Sequence, residues 1–280
     1  MNNPIIFLNN RYLTATQAAI SPFDPGFMYG DGVFETIRLY QGFPFMFDLH
    51  QQRLEQGLKL LDIPRPTMID KLRDIIAQLG SRNHLQDTQG MSRIMISRGQ
   101  KPTNPTCVVQ ATALDMEAIK DRQQGMQAII LPWKRDAANP LLQIKSMNYL
   151  ENIYGRKMAN QQGAHEGIFL NQDGELCEGT FSNLFLVSDN FIVTPPVEAG
   201  LLPGITRRAI IDCCRLAGIN CREERLTPAD ISQFLGGFLS SSLMELAPLK
   251  SLGTHHFIPS QVMDIQQRIT DVYRQLHQSS

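Results

Sequence analysis

Lys145 ends the apolar run LLQI and stands immediately before a helix-like stretch, SMNYLENIYG, so most of its stem is expected to be buried. Desolvation lowers the pKa of an amine and leaves a neutral nucleophile able to form an imine with a carbonyl cofactor. A lysine snorkelling from a strand end fits the same segment. Glu178 enters the stretch Gly-Thr-Phe-Ser-Asn after two apolar residues. A carboxylate in such surroundings can keep a heterocyclic nitrogen protonated, and the cationic ring is then an electron sink for a carbanion. A solvated glutamate at a strand end gives the same local pattern.

Three further segments could hold an anion. In GLLPGITRRAIIDCCRLAG, Pro203 and Gly204 precede a helix beginning at Ile205 and Thr206. Backbone N–H groups and the positive end of the helix dipole are available there, with the Thr206 hydroxyl and the charge of Arg207 or Arg208 alongside. In FLSSSLMELAP, Ser240, Ser241 and Ser242 offer hydroxyls at a strand end. Arg53, in DLHQQRLEQG, carries a planar fork suited to phosphate oxygens. Ordinary helix capping, a serine-rich turn and an exposed helical arginine are the competing explanations.

These residues must be positioned by alternating strands and helices. Strands are expected over 4–8 and 32–40, with a turn-rich loop, SPFDPGFMYGDG, between them. One helix starts near Asp48. Another starts near Thr67, with Met68, Leu72, Ile75, Ile76 and Leu79 on one face and Gly80 as its stop. Strands 91–97 and 106–113 flank RGQKPTNP, a long hairpin loop. Residues 115–125 are charged and polar and mark a linker, part of it in a short helix, so domains are expected over 1–114 and 126–280. The second domain reads as strand 126–131, helix 148–162, strand 167–170, a turn at 172–174, strands through 193, and helices over 206–217 and 261–276.

At 280 residues and 42% hydrophobic content the chain can bury two cores. Its 26 basic and 27 acidic side chains nearly cancel and form no long block, which argues against nucleic acid or an anionic membrane as partner and for a small molecule. No leader-like or membrane-length apolar segment is visible, so a cytoplasmic location is expected. Cys107, Cys177, Cys213, Cys214 and Cys221 form no paired CxxC and no histidine accompanies them, so core thiols are expected and no metal. His255 and His256 read as surface residues.

Taken in order, YGDGVFETIRLYQG (29–42), HQQRL (50–54), IKSMNYL (144–150), GELCEGTFSNLF (174–185), LLPGITRRAI (201–210) and SSSLMELAP resemble the fold type IV, or class IV, enzymes that use pyridoxal 5′-phosphate (PLP). That family includes branched-chain aminotransferases, D-amino acid aminotransferases and 4-amino-4-deoxychorismate lyases. The resemblance implies an α+β fold with a smaller N-terminal α/β sandwich and a larger C-terminal domain with a β-barrel-like core. It also implies PLP as cofactor, a homodimer and an amino substrate. Lys145 is implied as the imine-forming base and Glu178 as the partner of the pyridine nitrogen, with Arg53, Ile205, Thr206, Ser242 and Ser241 around the phosphate.

Within the family, D-amino acid aminotransferases carry an Arg-x-His pair where this chain reads RGQKPTNPTC, and a tyrosine where it has Phe34. Branched-chain enzymes show an arginine-proline motif where Arg93 is followed by Ile94, although Tyr29 and Phe34 fit them. ISRG, IKSMNYLEN and SPFDPGFMYGDGVFETIRLYQG look most like the 4-amino-4-deoxychorismate lyases, which release pyruvate and form 4-aminobenzoate for folate synthesis. Tyr29, Phe34, Thr36 and Arg98 are then the substrate-pocket candidates, with Thr36 aiding a water that protonates the leaving group. A transaminase acting on branched-chain L- or D-amino acids with 2-oxoglutarate, and a non-catalytic PLP-binding paralogue, are the alternatives. The set Lys145, Glu178 and Arg53 disfavours the paralogue, since a carrier needs no ring-protonating carboxylate.

Overall fold

The computed structural model describes residues 3–101 and 104–278. The chain divides into two compact units, one ending at Met116 but also taking in Ile144–Tyr149, the other formed by Glu117–Gln143 and the chain from Leu150 onward.

In the first unit the antiparallel sheet runs Arg11–Thr14, Ile5–Leu8, Asn104–Ala113, Gln89–Lys101, Gly32–Tyr40, Phe43–Pro44. Alternate residues of its long strands point one way, so Val33, Ile37 and Leu39 share a face with Ile94, Ile96, Val109 and Ala111. That face packs on Leu54 and Leu58 of the helix Phe47–Leu60 and on Leu72, Ile75, Ile76 and Leu79 of the helix Leu72–Arg82. Glu35, between Val33 and Ile37 in this period, is carried into the same core.

Several expectations are corrected here. The chain forms an additional strand, Arg11–Thr14, because Asn9 and Asn10 adopt φ of 45° and 71° and close a tight hairpin. The loop 21–32 contains a short helix, Pro25–Tyr29, whose first turn is capped when Gly26 N–H donates to Asp24 Oδ1 at 2.8 Å. Gly80 does not stop its helix, which continues to Arg82; a Cβ there would lie 3.0 Å from the Gly42 carbonyl oxygen, a tight approach that glycine makes easy. The strands around the expected 98–105 loop are longer than predicted, and Pro102 and Thr103 lie outside the described residues.

The short helix expected within the linker 115–125 is Met116–Gln123, which takes up most of it and buries Ile119. The chain segment of Lys145 also belongs to the N-terminal unit and not to the one that follows the linker. Phe34 N–H donates to the Lys145 carbonyl at 2.8 Å, Met147 N–H donates to the Gly32 carbonyl at 2.8 Å, and Ser146 bridges Val33. A pairing across more than a hundred residues leaves no local trace in sequence.

The second unit is built on a ring of strands in the order Asn183–Val187, Gly236–Ser241, Glu245–Leu252, Met126–Arg135, Glu166–Asn171, Leu176–Gly179, which closes where Glu178 pairs with Asn183. The expected barrel-like core is present, filled by residues including Ala128, Ile168, Leu184, Leu239, Ala247 and Leu249. Phe191–Thr194 and Asn220–Glu223 extend the sheet, and the helices Ile205–Leu216 and Met263–Gln278 pack on each other. Among the described residues no helix is long and apolar enough to cross a membrane.

Gly57 lets the helix Phe47–Leu60 approach the sheet: a Cβ would lie 2.9 Å from Val33 Cγ1 and 3.7 Å from Ile144 Cβ. Gly57→Ala is expected to lower stability by about 1–3 kcal/mol through overpacking, although alanine improves helix propensity by roughly 1 kcal/mol. Urea unfolding checks the sign, and a raised midpoint would mean that the helix has room to spare.

Candidate active site

Lys145 is half-buried, with its backbone stitched to the strand Gly32–Tyr40. Its Nζ donates to Tyr149 Oη at 3.4 Å and lies 4.4 Å from the centre of the Phe34 ring and 4.9 Å from that of Tyr149. The two rings meet edge to face, 5.0 Å apart, so the amine is walled by π faces. Arg93 sits directly opposite Thr36 in register, on the sheet face that carries Phe34, and its guanidinium lies 4.8 Å from the same Phe34 ring. Arg93 is half-buried and forms no ion pair with a carboxylate among the described residues. The Lys145 amine and the Arg93 guanidinium thus share one aromatic ring, an arrangement receptive to an anion.

On the opposite face, Glu35 is fully buried. Arg53 grips it with both arms of its fork, Nε to Oε1 at 2.7 Å and Nη2 to Oε2 at 2.8 Å, and His50 Nδ1 lies 2.7 Å from Oε2. Burial pushes the Glu35 pKa up, but the Arg53 charge and the His50 contact outweigh it and hold the carboxyl at about 2. Burial pushes the His50 pKa down, against the pull of Glu35. The histidine is therefore neutral at pH 7 and donates its Nδ1 proton to the carboxylate. Arg53 was read as a phosphate ligand; one edge of its guanidinium belongs to Glu35, which fixes how the side chain can face an anion.

In the second unit Glu178 is buried at the point of barrel closure. Its Oε1 accepts from Arg135 Nη1 at 3.1 Å, and its Oε2 accepts from the Leu202 N–H at 3.1 Å and from Asn183 Nδ2 at 3.5 Å. Arg135 is itself buried, stacked 3.2 Å above the centre of Phe169, and donates Nε to Glu151 at 2.9 Å and Nη2 to Asn152 at 3.0 Å. So many donors suit an ionised carboxylate.

Leu202 leads directly into the helix Ile205–Leu216, whose N-cap, Gly204, provides no side-chain cap. Gly204 has no space for a Cβ against Asn183 Oδ1, so this helix start is packed on the asparagine that donates to Glu178. Its first N–H groups are open to an anion, with Ile205 and Thr206 buried beside them. Ser240, register partner of Asn183, has a buried hydroxyl with no hydrogen-bond partner. Ser241 Oγ accepts from Met244 N–H at 3.3 Å, and Ser242 lies in the following turn. Arg207 is turned away from the helix start, with Nη2 donating to the Pro195 carbonyl at 2.9 Å and to Glu223, and Arg208 is exposed.

Of the pocket candidates, Phe34 contacts Lys145 and Thr36 lies two residues along the same sheet face. Tyr29 is exposed on the short helix. Arg98 is a brace: it donates to both oxygens of Asp31 and to the Leu61 and Asp62 carbonyls, which leaves little of its fork for a substrate. Arg135, Glu35 and Tyr149 were missed. Arg135 ends a strand read as stopping at Leu131, and only an unusually long strand, Met126–Arg135, would have signalled it. The cysteines are free thiols, and burial pushes Cys107 and Cys177 up to about 12 and Cys213 to about 11. Among the described residues no cluster could hold a metal ion.

The family model for class IV amino-transferases matches residues 32–252. The chain is 32% identical over 256 residues to the aminodeoxychorismate lyase of Bacillus subtilis, covering 89% of this chain and 86% of that protein. It is 29% identical over 257 residues to the D-alanine aminotransferase of Bacillus licheniformis, covering 88% of each. A solved structure of a hypothetical aminotransferase from Mycobacterium tuberculosis in its PLP-bound form superposes with a TM-score of 0.88 at 26% identity, covering 96% of this chain and 98% of that one.

Glu35 titrates at about 2 in the folded chain against an ordinary value of 4.5, so its contribution to stability is complete above that ordinary value and is lost as pH falls toward about 2. Glu35→Gln is expected to cost about 3–5 kcal/mol at neutral pH, since Arg53 is left buried without its anion. Urea unfolding at pH 7 and at about pH 3.5 tests this, the gap between wild type and variant narrowing in acid. An equal gap at both values would show that the pair does not govern the acid response.

Proposed function

Because the chain belongs to the class IV amino-transferase family, we propose that it is a PLP-dependent lyase that converts 4-amino-4-deoxychorismate into 4-aminobenzoate and pyruvate. The residues present fit the cofactor: a buried carboxylate kept ionised by N–H donors for a protonated ring nitrogen, an uncapped helix start for a phosphate, and an unpartnered serine hydroxyl at Ser240 nearby in the fold. PLP supplies an aldehyde that an amine can capture and a ring that accepts electrons. Lys145 is the amine that would hold it covalently, Glu178 would keep the ring nitrogen charged, and the N–H groups of Ile205 and Thr206 would bind the phosphate. Arg53, with its orientation set by Glu35, and Ser241 and Ser242 would complete the phosphate shell.

The observation that carries the lyase assignment is the pairing of Thr36 with Arg93 on the sheet face of Phe34. Arg93 offers an unmatched guanidinium to a substrate carboxylate. Thr36 offers a hydroxyl that can orient a water, which a transaminase does not need there but the departing enolpyruvate does. Lys145 Nζ takes the proton from the ring carbon that bears the amine. The enolpyruvyl C–O bond breaks as the ring becomes aromatic, and the enolpyruvate is protonated to pyruvate. With this activity go a homodimeric assembly and a cytoplasmic place in folate synthesis.

Purified protein supplied with 4-amino-4-deoxychorismate should yield pyruvate and 4-aminobenzoate in equal amounts, and borohydride should fix the cofactor on the peptide containing Lys145. Arg93→Met is expected to raise KM at least tenfold, in line with a lost charged hydrogen bond of about 1.5–3 kcal/mol. Thr36→Ala should lower kcat by roughly a hundredfold. Fast exchange between D-alanine or L-leucine and 2-oxoglutarate, with negligible 4-aminobenzoate, would instead establish a transaminase.

A further inference from the structure

Glu178 is held by a cation that touches it from the protein side, and this has a consequence for where a shared proton resides. Arg135 Nη1 donates to Glu178 Oε1 at 3.1 Å, and both side chains are less than a tenth exposed. The guanidinium cannot drift: Glu151 takes Nε at 2.9 Å, Asn152 takes Nη2 at 3.0 Å, and Phe169 stacks beneath at 3.2 Å. Those partners are fixed in turn, since Trp133 Nε1 donates to Glu151 Oε1 at 2.8 Å and Asn152 Nδ2 donates to the Thr180 carbonyl at 2.7 Å. Such a clamp is more than barrel closure requires, because Asn183 and the Leu202 N–H already bond Glu178 Oε2.

We propose that Arg135 is a positioning residue that selects, through Glu178, the charged form of the cofactor's ring nitrogen. The inference rests on the PLP assignment above. Two arrangements of one proton are available between a carboxyl and a pyridine nitrogen: carboxylate with N–H⁺, or carboxylic acid with bare nitrogen. A fixed cation adjoining the carboxylate is closer to the negative group than to the ring, so it favours the first arrangement, and the dry surroundings strengthen that bias. Proton count and total charge are the same in both forms. Only the charged ring is a strong electron sink, so Arg135 controls the rate without touching substrate.

The test uses holoenzyme loaded with PLP labelled with ¹⁵N in the ring. The wild type should give the resonance of a protonated pyridine. Arg135→Gln, which keeps donors but removes the charge, should move it toward the neutral value and lower kcat at least tenfold with KM within about twofold. Arg135→Lys should restore most of the protonated signal. Should Arg135→Gln fail to fold, Arg135→Met retains a stem against Phe169 and serves as the neutral variant. A purely structural arginine would lower the melting temperature in these variants and leave the ¹⁵N resonance in place, which would overturn the proposal, as would equal loss of the signal in the lysine and neutral variants. Glu178→Gln separates the two levels. If it leaves the wild-type resonance unmoved, the placement of Glu178 at the ring fails; if it abolishes the protonated signal while the neutral Arg135 variants do not, only the role of Arg135 fails.

Discussion

An ionised carboxylate carried into a dry interior must be met by a cation and by enough N–H donors to replace its water, or it will take up a proton instead. Each unit of this chain contains such a carboxylate, and each matches it with an arginine. Glu35 is driven into the helix-packed face of the first sheet by strand alternation, and Arg53 and His50 reach it from the helix Phe47–Leu60. Glu178 is placed at the closure of the barrel, and Arg135, Asn183 and the Leu202 backbone meet it there. Each arginine uses several edges of a planar fork at once, so a lysine in its place would keep the charge but lose part of the hydrogen-bond set.

The matched pairs also fix what surrounds them. Holding Arg53 sets the orientation of its helix, and Gly57, one turn on, keeps that helix close to Val33 and Ile144, the residue before Lys145. Holding Glu178 ties the barrel to the approach of the helix Ile205–Leu216, since Leu202 and Asn183 bond both the carboxylate and each other. An uncapped helix start is ordinarily a weak feature. Here it is secured by packing of Gly204 on Asn183, which leaves its N–H groups oriented without a side-chain cap.

Much of this is legible in the sequence. The strand 32–40, the helix from Ile205 and the turn at Gly174 follow from period and from glycine and proline placement. Lys145, Glu178 and Thr206 are singled out by motifs that keep them at fixed offsets from such elements. What stayed hidden was non-local. Arg135 became visible only when the strand Met126–Arg135 ran past its apolar run, since its partners lie on the helix Leu150–Gln161 and on the strand Leu176–Gly179. The inclusion of Ile144–Tyr149 in the N-terminal unit depends on two backbone hydrogen bonds to a strand more than a hundred residues earlier. Glu35 stayed hidden because a single charge in an apolar alternation does not reveal whether its partner exists.

Accounting for partners separates arginines that sequence treats alike. Arg98 looked like a pocket residue from its place after a strand, yet Asp31 and two carbonyls take up its donors. Arg207 looked like an anion ligand from its place at a helix start, yet Glu223 and the Pro195 carbonyl hold it. Arg93 carried no motif of its own, yet it is half-buried and its charge meets a ring and no carboxylate among the described residues. A half-buried guanidinium loses hydration without recovering it from a protein anion, and that deficit is what a bound carboxylate can restore. Charge left unmatched is therefore as informative about a site as the groups that are present.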